Sequence, residues 1–168
     1  FSVALVPIAN HAFMKGTLFL CAGLFIKRAG LHKVSDLDGI AQRMPVTTAA
    51  FAIATLAMIG TPPLAGFTSK WFLGLGMLEV GQPGYLAVLL GGALLAGVYL
   101  LPIVYAAYFR PPSAAVLALP ERTGAEAPAS MLVPLLVAVA LVVVLGIASS
   151  VPGLPLSLAR LAAAIAFK

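Results

Sequence analysis

The sequence predicts an all-α bundle of membrane-crossing helices, and three observations predict it. Of the 168 residues, 62% are hydrophobic and only 9% are charged, with a mean hydropathy of +1.10. Water-soluble globular chains run about 45–50% apolar and about 25% charged. The apolar residues gather in stretches of about 2–26, 46–80, 85–109 and 131–148, and roughly 20 apolar residues are enough for one span. Most of the ten Lys and Arg residues flank those stretches, which is how topology signals are distributed. The net charge of +5 therefore gives no ground for a nucleic-acid partner. The bilayer itself is the first partner the composition implies.

The first segment, about 2–26, holds Pro7 early and Asn10, His11 and Lys15 centrally, and Lys27 and Arg28 close it. His11 and Lys15 are four residues apart, so on a helix they share a face. Asn10 is adjacent to His11 but is expected to point elsewhere, and Thr17 lies on another side. A histidine titrates near neutrality, and a buried lysine can approach that range, so such a pair can pass protons through ordered water. The rival reading of Lys15 is snorkelling to an interface. Cys21, the single cysteine, sits in an apolar run and reads as a small packing residue.

The loop at 27–45 carries Lys27, Arg28, Lys33 and Arg43 against Asp36 and Asp38. Ser35 and Asp36 are suited to cap a short interfacial helix, and Pro45 suits the first turn of the next one. His32 reads as solvated.

The second segment, about 46–80, is interrupted. Thr61, Pro62, Pro63, Leu64, Ala65 and Gly66 stand mid-stretch; the prolines remove two backbone donors and the glycine adds a flexible point. Lys70 follows at once, and apolar residues resume at Trp71. Discontinuous membrane helices with an ionisable residue at the break line substrate or ion paths. Thr61 is the candidate for organising water there. A second placement stays open, in which the membrane exit lies at the prolines and Lys70 with Trp71 belongs to the interface. Glu79, near the turn 81–84, reads as a surface acid.

The third segment, about 85–109, has Pro102 inside and Tyr105, Tyr108 and Phe109 near its end, where aromatic rings favour the interface. The loop at 110–130 is expected to be irregular and exposed through its middle, 120–128. The fourth segment, about 131–148, carries no polar chemistry. Residues 151–168 form a short tail, too short to span, and a candidate for an interfacial helix. Counting Lys and Arg in the loops places 27–45 and 110–130 on the cytoplasmic side. Phosphate loop, nucleophile triad and metal-ligand cluster are all missing from the sequence. Catalytic residues, cofactors and metals are therefore not expected, and ion movement is favoured over bond chemistry.

Three motifs in order carry a resemblance. Residues Asn10-His11-Ala12-Phe13-Met14-Lys15-Gly16-Thr17-Leu18-Phe19-Leu20 resemble a helix of the antiporter-like subunits of respiratory complex I and of Mrp-type cation/proton antiporters. Ser35-Asp36-Leu37-Asp38-Gly39 with Arg43-Met44-Pro45 is similar to that family's following loop. Gly60-Thr61-Pro62-Pro63-Leu64-Ala65-Gly66-Phe67-Thr68-Ser69-Lys70-Trp71 is similar to its second broken helix. The resemblance covers about 1–109. It implies a larger fold of two inverted repeats, each with one discontinuous helix, of which residues 1–150 form the C-terminal transmembrane part.

The resemblance also implies that Lys70 is the terminal proton-carrying residue of the second half-channel and that His11 and Lys15 belong to a central hydrophilic axis. Some relatives, the M-type subunits, carry glutamate at the Lys70 position; the run Ser69-Lys70-Trp71-Phe72-Leu73-Gly74-Leu75-Gly76 looks most like D-subunits of Mrp-type antiporters. The expected function is that of a proton-translocating subunit of a cation/proton antiporter. A proton-pumping subunit of an NADH-quinone oxidoreductase or membrane hydrogenase is the alternative, and a purely structural scaffold is the alternative of another class. Any enzymatic activity would belong to the complex. Expected partners are other membrane subunits and protons, with sodium for an antiporter, in a bacterial inner membrane.

Overall fold

The computed structural model describes residues 2–120 and 126–148, with side chains from residue 7 onward. The tail expectation for 151–168, and the residues 121–125 of the second loop, lie outside the described residues. All regular elements among the described residues are helical.

Helix α1 (Ser2–Ala29) runs three residues past the expected end and takes Lys27 and Arg28 into its last turn. Cations there complement the carbonyl end of the helix. Asn10, Met14, Thr17, Cys21 and Leu24 are all buried, and their spacing of three or four residues draws one stripe along the helix. Cys21 packs as expected, with its thiol donating to Thr47 O at 3.5 Å. Phe25 meets Phe51 edge-on, with centroids 6.1 Å apart.

The loop after α1 holds two 3-10 turns, Val34–Leu37 and Ile40–Gln42. Asp36 supports the first turn by accepting from the Lys33 N–H at 3.3 Å. The loop is pinned to the far end of the chain's later half. The Gly39 N–H donates to Ala106 O at 3.0 Å and the Ser113 N–H to Asp38 O at 3.0 Å, while Ser113 Oγ donates to Asp36 O at 2.8 Å. Both polar loops therefore occupy one end of the bundle.

Helix α2 (Pro45–Ile59) starts with proline in its first turn, where no donor is lost. Its open N–H groups are met from the second loop: Glu126 accepts from the Val46 N–H at 2.9 Å and from Thr47 Oγ1 at 2.6 Å. The expectation of an exposed stretch at 120–128 is corrected at this point, because Glu126 is half-buried and Ala127 is 5% exposed. A short helix α5 (Ala114–Leu117), capped by Ser113 Oγ accepting from Val116 N–H at 3.2 Å, further orders that loop.

Helix α3 (Ala65–Glu79) follows α2 after residues 60–64. Gly66 is therefore inside a helix, and its role is not flexibility. A Cβ built there would lie 1.7 Å from Ala57 O, so glycine lets the first turn of α3 lie directly against the last turns of α2. After a turn at 80–82, helix α4 (Pro83–Phe109) begins two residues earlier than expected, with Pro83 at its first turn and Pro102 inside it. Helix α6 (Ala129–Ala148) closes the bundle, and its Gly146 lies against the backbone of Pro63, Leu64 and Ala65.

Among the described residues three helices, at Pro7–Ala29, Pro83–Phe109 and Ala129–Ala148, are long and apolar enough to cross a membrane, and Pro45–Ile59 is a shorter apolar one. The second expected segment, about 46–80, is thus α2 and α3 taken together, each of 15 residues.

Two outcomes follow for the full-length protein in detergent. Gly66→Ala should lower the melting temperature, with about 1–3 kcal/mol of overpacking, whereas Gly76→Ala, which meets nothing within 4 Å, should leave it level or raise it slightly. Glu126→Ala should cost about 1 kcal/mol through the lost cap. Unchanged melting for both Gly66→Ala and Glu126→Ala would show that α2 is not held as described.

Candidate functional site

A helix that stops leaves its last carbonyls without N–H partners. At the end of α2, Leu56 O is served twice, by the Gly60 and Thr61 N–H groups, each at 3.0 Å. Met58 O and Ile59 O are served instead by Lys70. Its Nζ donates to both, at 2.8 Å for Ile59 O. Gly60 makes room for this. It has φ +102°, a left-handed conformation, and a Cβ there would come within 3.2 Å of Lys70 Cδ and 3.3 Å of Nζ. The lysine is thus both the ionisable group beside the break and the cap of the helix before it.

Asn10 is the residue whose role sequence reasoning missed. It points off the face of His11 and Lys15, as expected, but into the bundle: it is 2% exposed, and its Nδ2 donates to Ser69 Oγ at 2.8 Å and to Ala65 O at 3.2 Å. Ser69 Oγ in turn donates to Ala65 O at 2.8 Å, and Thr68 Oγ1 does so at 3.1 Å. The signal that could have found it is the stripe Asn10, Met14, Thr17, Cys21. Extending that period back from the apolar members puts Asn10, not His11, on the buried face.

His11, Lys15 and Lys70 line one open cavity of about 630 Å³ between α1, α3 and α4. His11 and Lys15 are exposed to it, and Lys70 is half-buried. The α4 side of the cavity includes Leu89, Ala93 and Ala96, close to the middle of a 27-residue helix that is about 40 Å long. Among the described residues no carboxylate lines the cavity, and no group of three His, Cys, Asp or Glu could hold a metal. What remains is a basic, open recess lined by the titratable nitrogens of His11, Lys15 and Lys70.

The other candidates separate from this cluster. Thr61 contributes its backbone to the turn, its N–H bonding Leu56 O and its carbonyl accepting from Leu64 N–H at 3.0 Å. Pro62 and Pro63 are exposed, and the peptide bond between them is cis. Gly66 borders the cavity through its contact with α2. Trp71 is 57% exposed and stacks on Phe67 with centroids 5.9 Å apart. Glu79 and His32 are exposed, as the sequence suggests.

The chain as a whole is similar to known proteins. The family described as NADH:quinone oxidoreductase/Mrp antiporter, TM, matches residues 1–96. The chain is 46% identical over 151 residues to NADH-quinone oxidoreductase subunit N of Desulforudis audaxviator (strain MP104C), covering 86% of this chain and 30% of that protein. It is 38% identical over 91 residues to hydrogenase-4 component B of Escherichia coli (strain K12), covering 54% of this chain and 14% of that one. Among solved structures it resembles a chain of the membrane-bound sulfane sulfur reductase, an archaeal respiratory membrane complex, with a TM-score of 0.79 and 30% identity, over 95% of this chain and 24% of that one. The chain thus spans less than a third of the length of these relatives.

Proposed function

This chain belongs to the NADH:quinone oxidoreductase/Mrp antiporter transmembrane family, and on that premise we propose that it is part of a proton-translocating membrane subunit in which Lys70, Lys15 and His11 carry the protons. The observation that carries this reading is the placement of Lys70. Its nitrogen is held by the last carbonyls of α2 and opens into the cavity it shares with His11 and Lys15. A lysine near mid-membrane costs about 2.5–3.5 kcal/mol on insertion scales, and the carbonyls offset that cost locally. Water entering the recess links the three nitrogens, so a proton can pass from one to the next without any side chain crossing the bundle.

The relatives reported above are named for a quinone reductase, a hydrogenase and a respiratory complex. They favour a subunit of a redox-driven complex over one of a cation/proton antiporter. The antiporter reading keeps the support of the family description, which covers both, and of the run from Ser69 to Gly76. In either case the driving reaction belongs to partner subunits in the membrane, and this chain supplies the proton path. A bacterial inner membrane, with the interlocked loops at 27–45 and 110–130 on the cytoplasmic side, is the setting that the charge count supports.

Two substitutions separate the lysine's structural role from its proton role. In the full-length subunit within its complex, Lys70→Ala should bring proton translocation in proteoliposomes to background while the complex still assembles. Lys70→Arg keeps donors for the two carbonyls, but a guanidinium does not release its proton in proteins. It should therefore assemble with wild-type stability and still fail to translocate. Wild-type translocation in both variants would leave only the scaffold reading.

A further inference from the structure

We infer that Asn10 is a positioning residue for proton transfer: its bonds to the first turn of α3 fix the rotation of that helix, and with it the spacing of Lys70 from His11 and Lys15. The inference rests on the reading of Lys70 as a proton carrier. It begins from adjacency. Asn10 precedes His11 and Ser69 precedes Lys70, so the bond between Asn10 and Ser69 at 2.8 Å joins the immediate neighbours of two cavity residues. Successive helical residues differ by about 100° in direction. With Asn10 and Ser69 both turned into the α1–α3 seam, His11 and Lys70 are each carried round to the cavity side.

The anchor is doubled. Asn10 Nδ2 also donates to Ala65 O at 3.2 Å, and Ser69 Oγ is itself tied to that carbonyl at 2.8 Å. One turn along α1, Met14 continues the same seam, its sulfur 3.1 Å from where a Gly66 Cβ would lie. The first turn of α3 is thus clamped on two sides, by α1 through Asn10 and by α2 through the close approach at Gly66. Lys70 begins the next turn from that clamp. A polar amide at 2% exposure is stabilising only while its partners are in place, so α3 cannot turn about its axis without leaving Asn10 unpaired.

The titratable groups lining the cavity are His11, Lys15, Lys70 and Tyr99, and Asn10 is not among them. Its loss therefore acts through geometry. In the full-length subunit within its complex, Asn10→Leu, similar in volume but without a donor, should lower proton translocation per assembled complex by between about tenfold and a hundredfold and displace its pH profile. Asn10→Gln, which keeps the amide donor, should recover much of the rate. Ser69→Ala should displace the profile in the same direction, and the double variant should be little worse than Asn10→Leu alone, because both variants break the Asn10–Ser69 bond. Should Asn10→Leu fail to assemble, Ser69→Ala carries the test by itself.

A wild-type rate per assembled complex, or a lowered amount of complex with an unchanged pH profile, would overturn the positioning role. Wild-type translocation by Lys70→Ala and Lys70→Arg would instead remove the reading beneath it. The two failures therefore register in different variants.

Discussion

A helix that ends among apolar segments has to do something with its last carbonyls, and the bundle is arranged around the solution. In water those oxygens would be hydrated; within a bilayer each unmet polar backbone group costs several kcal/mol. Here Met58 O and Ile59 O are met by an ammonium nitrogen from the next helix. The interaction works in both directions, since the lysine also needs polar company that the surrounding leucines, valines and alanines do not offer. Gly60 and Gly66 are the two positions where a Cβ would obstruct it, the first at the lysine stem and the second at the approach of α3 to α2.

The same helix is held at its other end by a group of opposite sign. Glu126 accepts from the Val46 N–H and from Thr47 Oγ1, so α2 has a carboxylate at its positive end and an ammonium at its negative end, the arrangement that its peptide dipoles favour. Both groups come from later in the sequence, 80 residues after Val46 and 11 after Ile59. Through Glu126 the second polar loop is coupled to α2, and through the bonds of Ser113 to Asp38 O and Asp36 O it is coupled to the first loop. Arg110 and Asp38 add an ion pair at 3.6 Å, but its exposure makes it worth little. One end of the bundle is therefore fastened by backbone and cap bonds, and the middle by Lys70 and Asn10.

What the sequence disclosed and what it concealed divide along the range of the interaction. The membrane-crossing segments, the proline at the head of α2, and the pairing of His11 with Lys15 are local features, legible from composition and from separations of four residues. The resemblance implied Lys70 at the end of a half-channel and His11 with Lys15 on a hydrophilic axis; the structure has all three lining one cavity. Asn10 and Glu126 were not legible, because their partners lie 55 to 59 and 79 to 80 residues away, and neither residue type announces a distant acceptor or donor. The direction of Asn10 away from His11 and Lys15 was legible, but its role was not: His11 and Lys15 drew attention to their own face, although the buried stripe of α1 runs one residue behind them. Gly66 was read as a hinge, whereas the space it leaves is already filled by α2.

The division of labour between neighbouring residues bears on how a proton could leave the site without disturbing it. An ammonium nitrogen has three N–H donors and a neutral amine has two. Met58 O and Ile59 O require one each, so Lys70 can serve both carbonyls in either protonation state, and releasing the proton need not expose the end of α2. The third position on the nitrogen is the one free to face the cavity, where Lys15, His11 and water are the available acceptors. A fixed cap and a mobile charge are thereby compatible on one side chain, provided that something other than the lysine's charge keeps α3 in register. That requirement falls on groups which do not titrate in the physiological range, and the amide of Asn10, the hydroxyl of Ser69 and the bare Cα of Gly66 are groups of that kind.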